Sequence, residues 1–272
     1  MKKGNLRTMK KIIAMLLVLT MMLCCFAGCG SKGTTLDEVK AAGQLVIATS
    51  PDFPPFEELT ESGSVEGIEI EVLELICDKL DVNLKIEQVD FDSVLPGVQA
   101  GKYDAGVSGI SVTPEREKNV LFTDPYCLAA QAIVVVEGSP VTAKADLTGK
   151  NVSVQTGTTA ESYCMENGYT VSAFAANSDA QNALTAGKVD AWVIDDLTAA
   201  EMVVAYNAGN PAKKLVILDE AMTTEPYAFA FAKGSDDLVA EINKIVGELV
   251  ADGTIKSIFD KYEAPYTAPS AE

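Results

Sequence analysis

The sequence predicts an α/β protein made of two similar lobes, and three observations point to that class. Short apolar runs alternate with segments of helical periodicity, the pattern of mostly parallel sheets covered by helices. A stretch also repeats. Ala100-Gly101-Lys102-Tyr103-Asp104-Ala105-Gly106-Val107 returns as Ala186-Gly187-Lys188-Val189-Asp190-Ala191-Trp192-Val193, and each copy leads out of a helical segment, through Gly, into a short strand. Finally, two β-rich runs, Ala132–Val136 and Tyr227–Ala232, lie where a chain would cross from one lobe to the other and back.

Taken in order, Ser31–Val39 is polar and reads as a tether, and Leu45–Ala48 fits a buried strand. Pro51, Pro54 and Pro55 then stiffen a loop that carries Phe53 and Phe56. Behind Gly63 and Gly67 a helix places Ile70, Leu73, Ile76, Cys77 and Leu80 on one face. Leu84–Val89 is the next strand, and Asp90–Ser93 opens a helix that runs out at Gly101. Beyond the first crossover, Val152–Val154 and Leu215–Leu218 read as strands, with a helix entered at Glu161. Leu238, Ile242, Ile245 and Leu249 mark an amphipathic helix stopped by Gly253, Ile255–Tyr262 adds a short one, and the tail from Ala264 reads as loose.

The chain is arranged around Gly106–Arg116, Gly-Val-Ser-Gly-Ile-Ser-Val-Thr-Pro-Glu-Arg. Small residues keep backbone N–H groups accessible, Thr113 suits an N-cap, Pro114 suits the first helical position, and Arg116 falls in the first turn. Backbone donors, the Ser108 and Ser111 hydroxyls and a guanidinium fork together match a carboxylate. An ordinary loop with Arg116 in a surface ion pair fits the stretch as well. Gln155–Ala160 offers a second Gly-containing loop at a helix start, which favours an anion, and it lacks the Gly-Lys-Ser/Thr ending of a P-loop. If the repeat is structural, equivalent strand ends deliver Ser108–Ser111 and Asp195–Asp196, and Arg116 and Asp195 face one cleft from opposite lobes.

Composition narrows the chemistry. Histidine is absent, which excludes a Ser-His-Asp triad, a Cys-His pair and any His metal site. No cofactor or metal is expected. Lys2, Lys3, Arg7, Lys10 and Lys11 precede the apolar run Ile12–Leu23, and Phe26-Ala27-Gly28-Cys29 follows, the layout of a secretory signal. The sequence Ala-Gly-Cys resembles a bacterial lipobox, which makes Cys29 the expected lipidated residue, with Cys24 and Cys25 weaker candidates. Cleavage before Cys29 removes those five basic residues and no acidic one, so the net charge of −18 deepens to −23. That sign argues against nucleic acid and anionic lipid as partners. Cys77, Cys127 and Cys164 remain, an odd number without C-x-x-C spacing.

Several stretches, in order and spacing, resemble the bacterial extracellular solute-binding proteins of the polar amino-acid type, which serve ABC importers. They are Leu45–Phe56, Gly67–Leu73, Phe91–Gln99, Ala105–Arg116 with Phe122–Tyr126, Val152–Thr159, Asp190–Asp195, Ala228–Gly234 and Gly253–Tyr262. The resemblance implies a type II periplasmic-binding-protein-like fold, with each lobe a mixed sheet flanked by helices and two crossover strands between them. The layout expected is a signal peptide at 1–28, a tether at 29–42, a first lobe at 43–134 and 228–266, a second at 135–227 and a loose tail at 267–272.

By the same resemblance Arg116 would grip the α-carboxylate of one amino acid, helped by the Ser111 and Thr159 N–H groups. Asp195 would take the α-ammonium, with the Gly109 carbonyl as second acceptor. Phe53 and Phe91 would flank the ligand side chain, and Ser50, Ser108 and Gln155 complete the candidate set. Ser50 stands where glutamine and basic-amino-acid binders of the family carry an Asp, although Asp52 is near enough to substitute if the loop turns inward. Glu69 and Glu71 replace the usual Asp residues of their segment, which reads as a surface matter. The function implied is an extracytoplasmic receptor, monomeric and held by lipid on the outer face of the cytoplasmic membrane, that delivers a polar L-amino acid to an ABC permease. No enzymatic activity is expected, and the alternatives are a periplasmic dehydratase on the same fold or an amino-acid sensor module.

Overall fold

A computed structural model describes residues 33–269. The expected signal peptide and Cys29 lie outside those residues. The first lobe opens with a helix at Leu36–Ala42 and strand β1 (Gln44–Thr49), followed by a small antiparallel ribbon of β2 (Asp52–Phe53), β3 (Glu57–Leu59) and β4 (Val65–Glu66). A helix at Ile68–Leu80, β5 (Asn83–Gln88), a helix at Phe91–Gln99, β6 (Ala105–Gly106), a short helix at Pro114–Glu117 and β7 (Val120–Phe122) follow. After β8 (Cys127–Ala129) the chain builds the second lobe. It comprises β9 (Gln131–Val136), β10 (Asn151–Gln155), a helix at Thr159–Glu166, β11 (Thr170–Phe174), a helix at Asn177–Thr185, β12 (Ala191–Asp195), a helix at Asp196–Ala208 and β13 (Leu215–Ile217). Then β14 (Glu225–Tyr227) leads back, and β15 (Ala230–Ala232) with helices at Asp236–Ala251 and Thr254–Lys261 completes the first lobe.

The lobes repeat one topology. One sheet has the order β5-β1-β6-β15-β7 and the other β11-β10-β12-β9-β13. In each, three strands run parallel, and the fourth, antiparallel, is the first strand laid down after a crossing. Strand β1 buries Leu45, Ile47 and Ala48 completely, which is why it reads as a continuous apolar run and not as an alternation. In the second lobe Trp192 on β12 is fully buried.

The sequence repeat has a structural cause. Ala100 and Ala186 end their helices with nearly the same dihedrals, φ −77° and −79°, and Gly101 and Gly187 both follow at φ +68°. That left-handed turn is open to glycine without strain. Asp104 Oδ2 then accepts the N–H of Val46 at 2.8 Å, and Asp190 Oδ2 accepts the N–H of Asn151 at 2.9 Å. Each repeat Asp therefore ties the start of its own strand to the parallel neighbour.

Three expectations need correction. The segment expected to be the end of a tether folds as the Leu36–Ala42 helix, opened by a capping box between Thr35 and Glu38, and it buries Val39. Ala132–Val136 is not a crossover but the body of β9, the antiparallel strand of the second sheet. The crossing strands are β8 and β14, which pair with Glu225 opposite Ala129 and Tyr227 opposite Cys127. Sheet membership thus puts residues 131–134 in the second lobe. Lastly, Tyr266 donates to the carbonyl of Tyr126 at 3.1 Å and Thr267 O accepts from Leu128 N at 2.9 Å, so the segment just after Ala264 is tied to β8.

Asp104→Ala should leave the Val46 N–H without its partner and lower unfolding free energy by about 1–2 kcal/mol. Asp190→Ala, at an exposed position, should cost less. Urea titration of both variants checks the order, and equal or inverted losses would contradict it.

Candidate functional site

Strand ends and the crossing strands converge on one place. After β6 the loop Val107–Val112 runs beside β14, with Val112 N donating to Pro226 O at 2.8 Å and Ala228 N to Ile110 O at 3.1 Å. Gly109 adopts φ +53°, and a Cβ there would fall 2.4 Å from the Phe53 ring, so the loop requires glycine for both reasons. Thr113 Oγ1 caps the short helix by accepting Arg116 N at 3.2 Å, which sets the backbone from which the Arg116 side chain extends.

The Arg116 guanidinium bridges the lobes. Its Nη1 donates to Ser111 O at 2.9 Å in the first lobe, and its Nη2 to Gly157 O at 3.1 Å in the second. The guanidinium carbon lies 5.7 Å from the centre of the Phe91 ring, within cation–π range. Burial pulls the guanidinium pKa down, and the charges of Glu225 and Asp195 oppose that.

Asp195 ends β12 on the opposite wall, 7% exposed. Its Oδ1 accepts Gln131 Nε2 at 2.7 Å. Burial first, and the nearby Glu225 second, hold its carboxyl well above the usual carboxylate range, with Arg116 opposing. Phe53, Phe91, Ser108, Gly109, Ser111 and Arg116 from the first lobe meet Gln155, Thr159 and Asp195 from the second around a space of about 10 Å³. That holds about one water. Beside it, past Phe91 and Arg116, a groove of about 860 Å³ opens, with Asn119, Tyr163 and Thr223 on its walls. Of the sequence candidates only Ser50 stands back. Its N–H donates to Ser108 Oγ at 3.1 Å and its hydroxyl to Asp52 Oδ1 at 3.0 Å.

Three residues of the site, Glu225, Tyr227 and Gln131, were not singled out by the sequence as binding groups. Glu225 is buried on β14, and its Oε2 accepts both the Ser111 hydroxyl and, at 2.7 Å, the Thr159 hydroxyl, joining the two lobes through the crossing strand. Tyr227, two residues on and therefore on the same face, is fully buried against Asp195. Gln131 heads β9 and donates to Thr159 Oγ1 at 3.2 Å as well as to Asp195. Asp52 does turn inward, and its Oδ2 accepts Asn177 N at 2.7 Å while Gln155 Nε2 lies 3.4 Å from each oxygen. The helix at Asn177–Thr185 has no side-chain cap of its own, so Asp52 supplies one from the other lobe.

The sequence model of bacterial extracellular solute-binding proteins, family 3, matches residues 45–265. The chain belongs to that family. Among relatives of this family 3 protein, the L-cystine-binding protein of Escherichia coli K12 is 27% identical over 255 residues, covering 92% of both chains. A crystal structure of a mutant ArgBP from T. maritima superposes with a TM-score of 0.78 at 37% identity, covering 85% of this chain and 99% of that one. An ancestral amino acid-binding protein, a precursor of cyclohexadienyl dehydratase, gives a TM-score of 0.77 at 31% identity, covering 84% and 99%.

Asp52→Ala removes the cap that crosses the cleft, worth about 1 kcal/mol. Closed lobes should be correspondingly less populated, which small-angle scattering reads as a larger radius of gyration for the variant. An unchanged radius would show that the contact does not hold the lobes together.

Proposed function

We propose that this family 3 protein captures a polar L-amino acid between its lobes and delivers it to an ABC permease. The observation that carries the reading is the convergence of a cation from one lobe, Arg116, and a buried carboxylate from the other, Asp195, on one small space. A zwitterion needs that pair a few bonds apart, each charge desolvated against its partner. In this reading Arg116 holds the α-carboxylate, with N–H groups of Ser111 and Thr159, and Asp195 with the Gly109 carbonyl holds the α-ammonium. Phe53 and Phe91 line the side chain. Asp52, carried inward beside Gln155 and braced by Ser50, takes the place of the acidic group that the family's glutamine and basic-amino-acid binders have at position 50. We infer a preference for side chains that end in hydrogen-bond donors.

Among the described residues no helix is long and apolar enough to cross a membrane. Attachment to the outer face of the membrane through lipidated Cys29, and a monomeric state, complete the proposal. The space between the lobes is several times too small for an amino acid. Entry therefore follows separation of the lobes, and a ligand that touches both favours their closure.

A calorimetric screen of the twenty amino acids should find at least one polar ligand. Arg116→Ala should weaken its binding by about a hundredfold or more, because an unpaired buried carboxylate costs about 3–5 kcal/mol out of about 8 for micromolar affinity. No stabilisation by any amino acid, or full binding by the variant, would refute the assignment, and turnover of arogenate or prephenate would favour the dehydratase alternative. The raised Asp195 carboxyl adds a signed pH effect. The ammonium requires the ionised form, so below the raised pKa binding must expel a proton, and affinity should fall up to about tenfold for each unit of acidification. Titrations in buffers of different ionisation enthalpy read the proton directly, and a flat profile would contradict the role.

A further inference from the structure

Behind the binding loop lies a second pair of acids. Glu57 on β3 and Glu69 in the first turn of the Ile68–Leu80 helix are both completely buried, and their carboxyls lie within hydrogen-bonding reach of each other. Ser108 Oγ donates to Glu57 Oε1 at 2.8 Å. Gly109 N donates to Glu69 Oε2 at 2.9 Å, and Tyr126 OH to Glu69 Oε1 at 2.7 Å. Glu57 Oε2 is buried with no other partner. Among the described residues no cation pairs with either group, and the titratable neighbours that face them, Asp52, Tyr126 and Cys127, carry no positive charge.

We propose that Glu57 and Glu69 hold one proton between them at neutral pH, on Glu57 Oε2, and that this acid–carboxylate pair positions Ser108 and Gly109 for the ligand. The donors decide where the proton sits. Glu69 accepts from two groups, as an ionised carboxylate does, whereas no donor reaches the buried Glu57 Oε2, which leaves that oxygen free to carry the hydrogen. Two adjacent buried carboxylates without a counter-ion would repel each other strongly. Removal of the shared proton would push them apart, and with them the Ser108 hydroxyl and the Gly109 amide. Burial and mutual repulsion raise the carboxyl pKa on Glu57, which agrees with the geometry. The inference about the loop rests on the proposed ligand site, whereas the shared proton does not.

The test compares wild type with Glu57→Gln, which keeps a donor toward Glu69 and an acceptor for Ser108 but has no proton to lose, and with Glu57→Ala. Carbon-13 NMR of glutamate carboxyls should show one protonated glutamate at neutral pH in the wild type and none in Glu57→Gln. The native state binds a proton that the unfolded chain has lost. The folding equilibrium of the wild type should therefore fall by up to about tenfold per pH unit, relative to Glu57→Gln, as pH rises from the ordinary carboxylate range to that of the pair. For the amino acid the wild type binds best, Glu57→Gln should retain affinity within about threefold, and Glu57→Ala should lose about tenfold or more. Two ionised glutamates at neutral pH, parallel stability profiles, or a Gln variant as impaired as the Ala variant would overturn the proposal. If Glu57→Ala fails to fold, the NMR and pH comparison with Glu57→Gln still decides it. If the screen finds no ligand, those two measurements stand while the ligand reading falls.

Discussion

The guanidinium of Arg116 is held by carbonyls from both lobes, Ser111 on one side and Gly157 on the other, and the rest of the site is arranged around the need to satisfy it. A cation taken out of water costs several kcal/mol unless acceptors and counter-charges surround it. Here two carbonyls, the Phe91 face and the nearby carboxyls of Asp195 and Glu225 do so. The same requirement explains why the site lies at the meeting of two lobes. Neither lobe alone provides both the cation and the full set of partners.

The crossing strands take part in this chemistry as well as linking the lobes. Glu225 on β14 ties Ser111 to Thr159, and Gln131, just past β8, ties Thr159 to Asp195. The residues that hold the lobes together thus include residues of the proposed ligand site, and ligand entry competes with lobe-to-lobe hydrogen bonds. A ligand that replaces these bonds shifts the balance between open and closed lobes only by the difference in its contacts with the two states.

Much of the architecture was legible because it follows from local rules. The repeated Ala-Gly-Lys-x-Asp marks a glycine turn and an aspartate tie that both lobes need, and Thr113-Pro114 is a helix start with a visible cap. The residues that escaped notice act across long sequence separations. Glu225 lies just outside the β-rich run Tyr227–Ala232, and only the pairing of β14 with β8 turns it into the site. Glu69, expected at the surface, is buried because its carboxyl meets Glu57 and Tyr126, contacts that helical periodicity does not reveal. Ala132–Val136 carries the same apolar signal whether it crosses between lobes or lies inside a sheet, so periodicity does not separate the two.

In the proposed site one zwitterion spans the two lobes, from Arg116 to Asp195. A crystal structure of the protein with the amino acid that binds it best tests this most directly. The α-carboxylate should lie on the Arg116 guanidinium and the α-ammonium within hydrogen-bonding distance of Asp195. A ligand seated elsewhere, or bonded to only one of the two side chains, would contradict it.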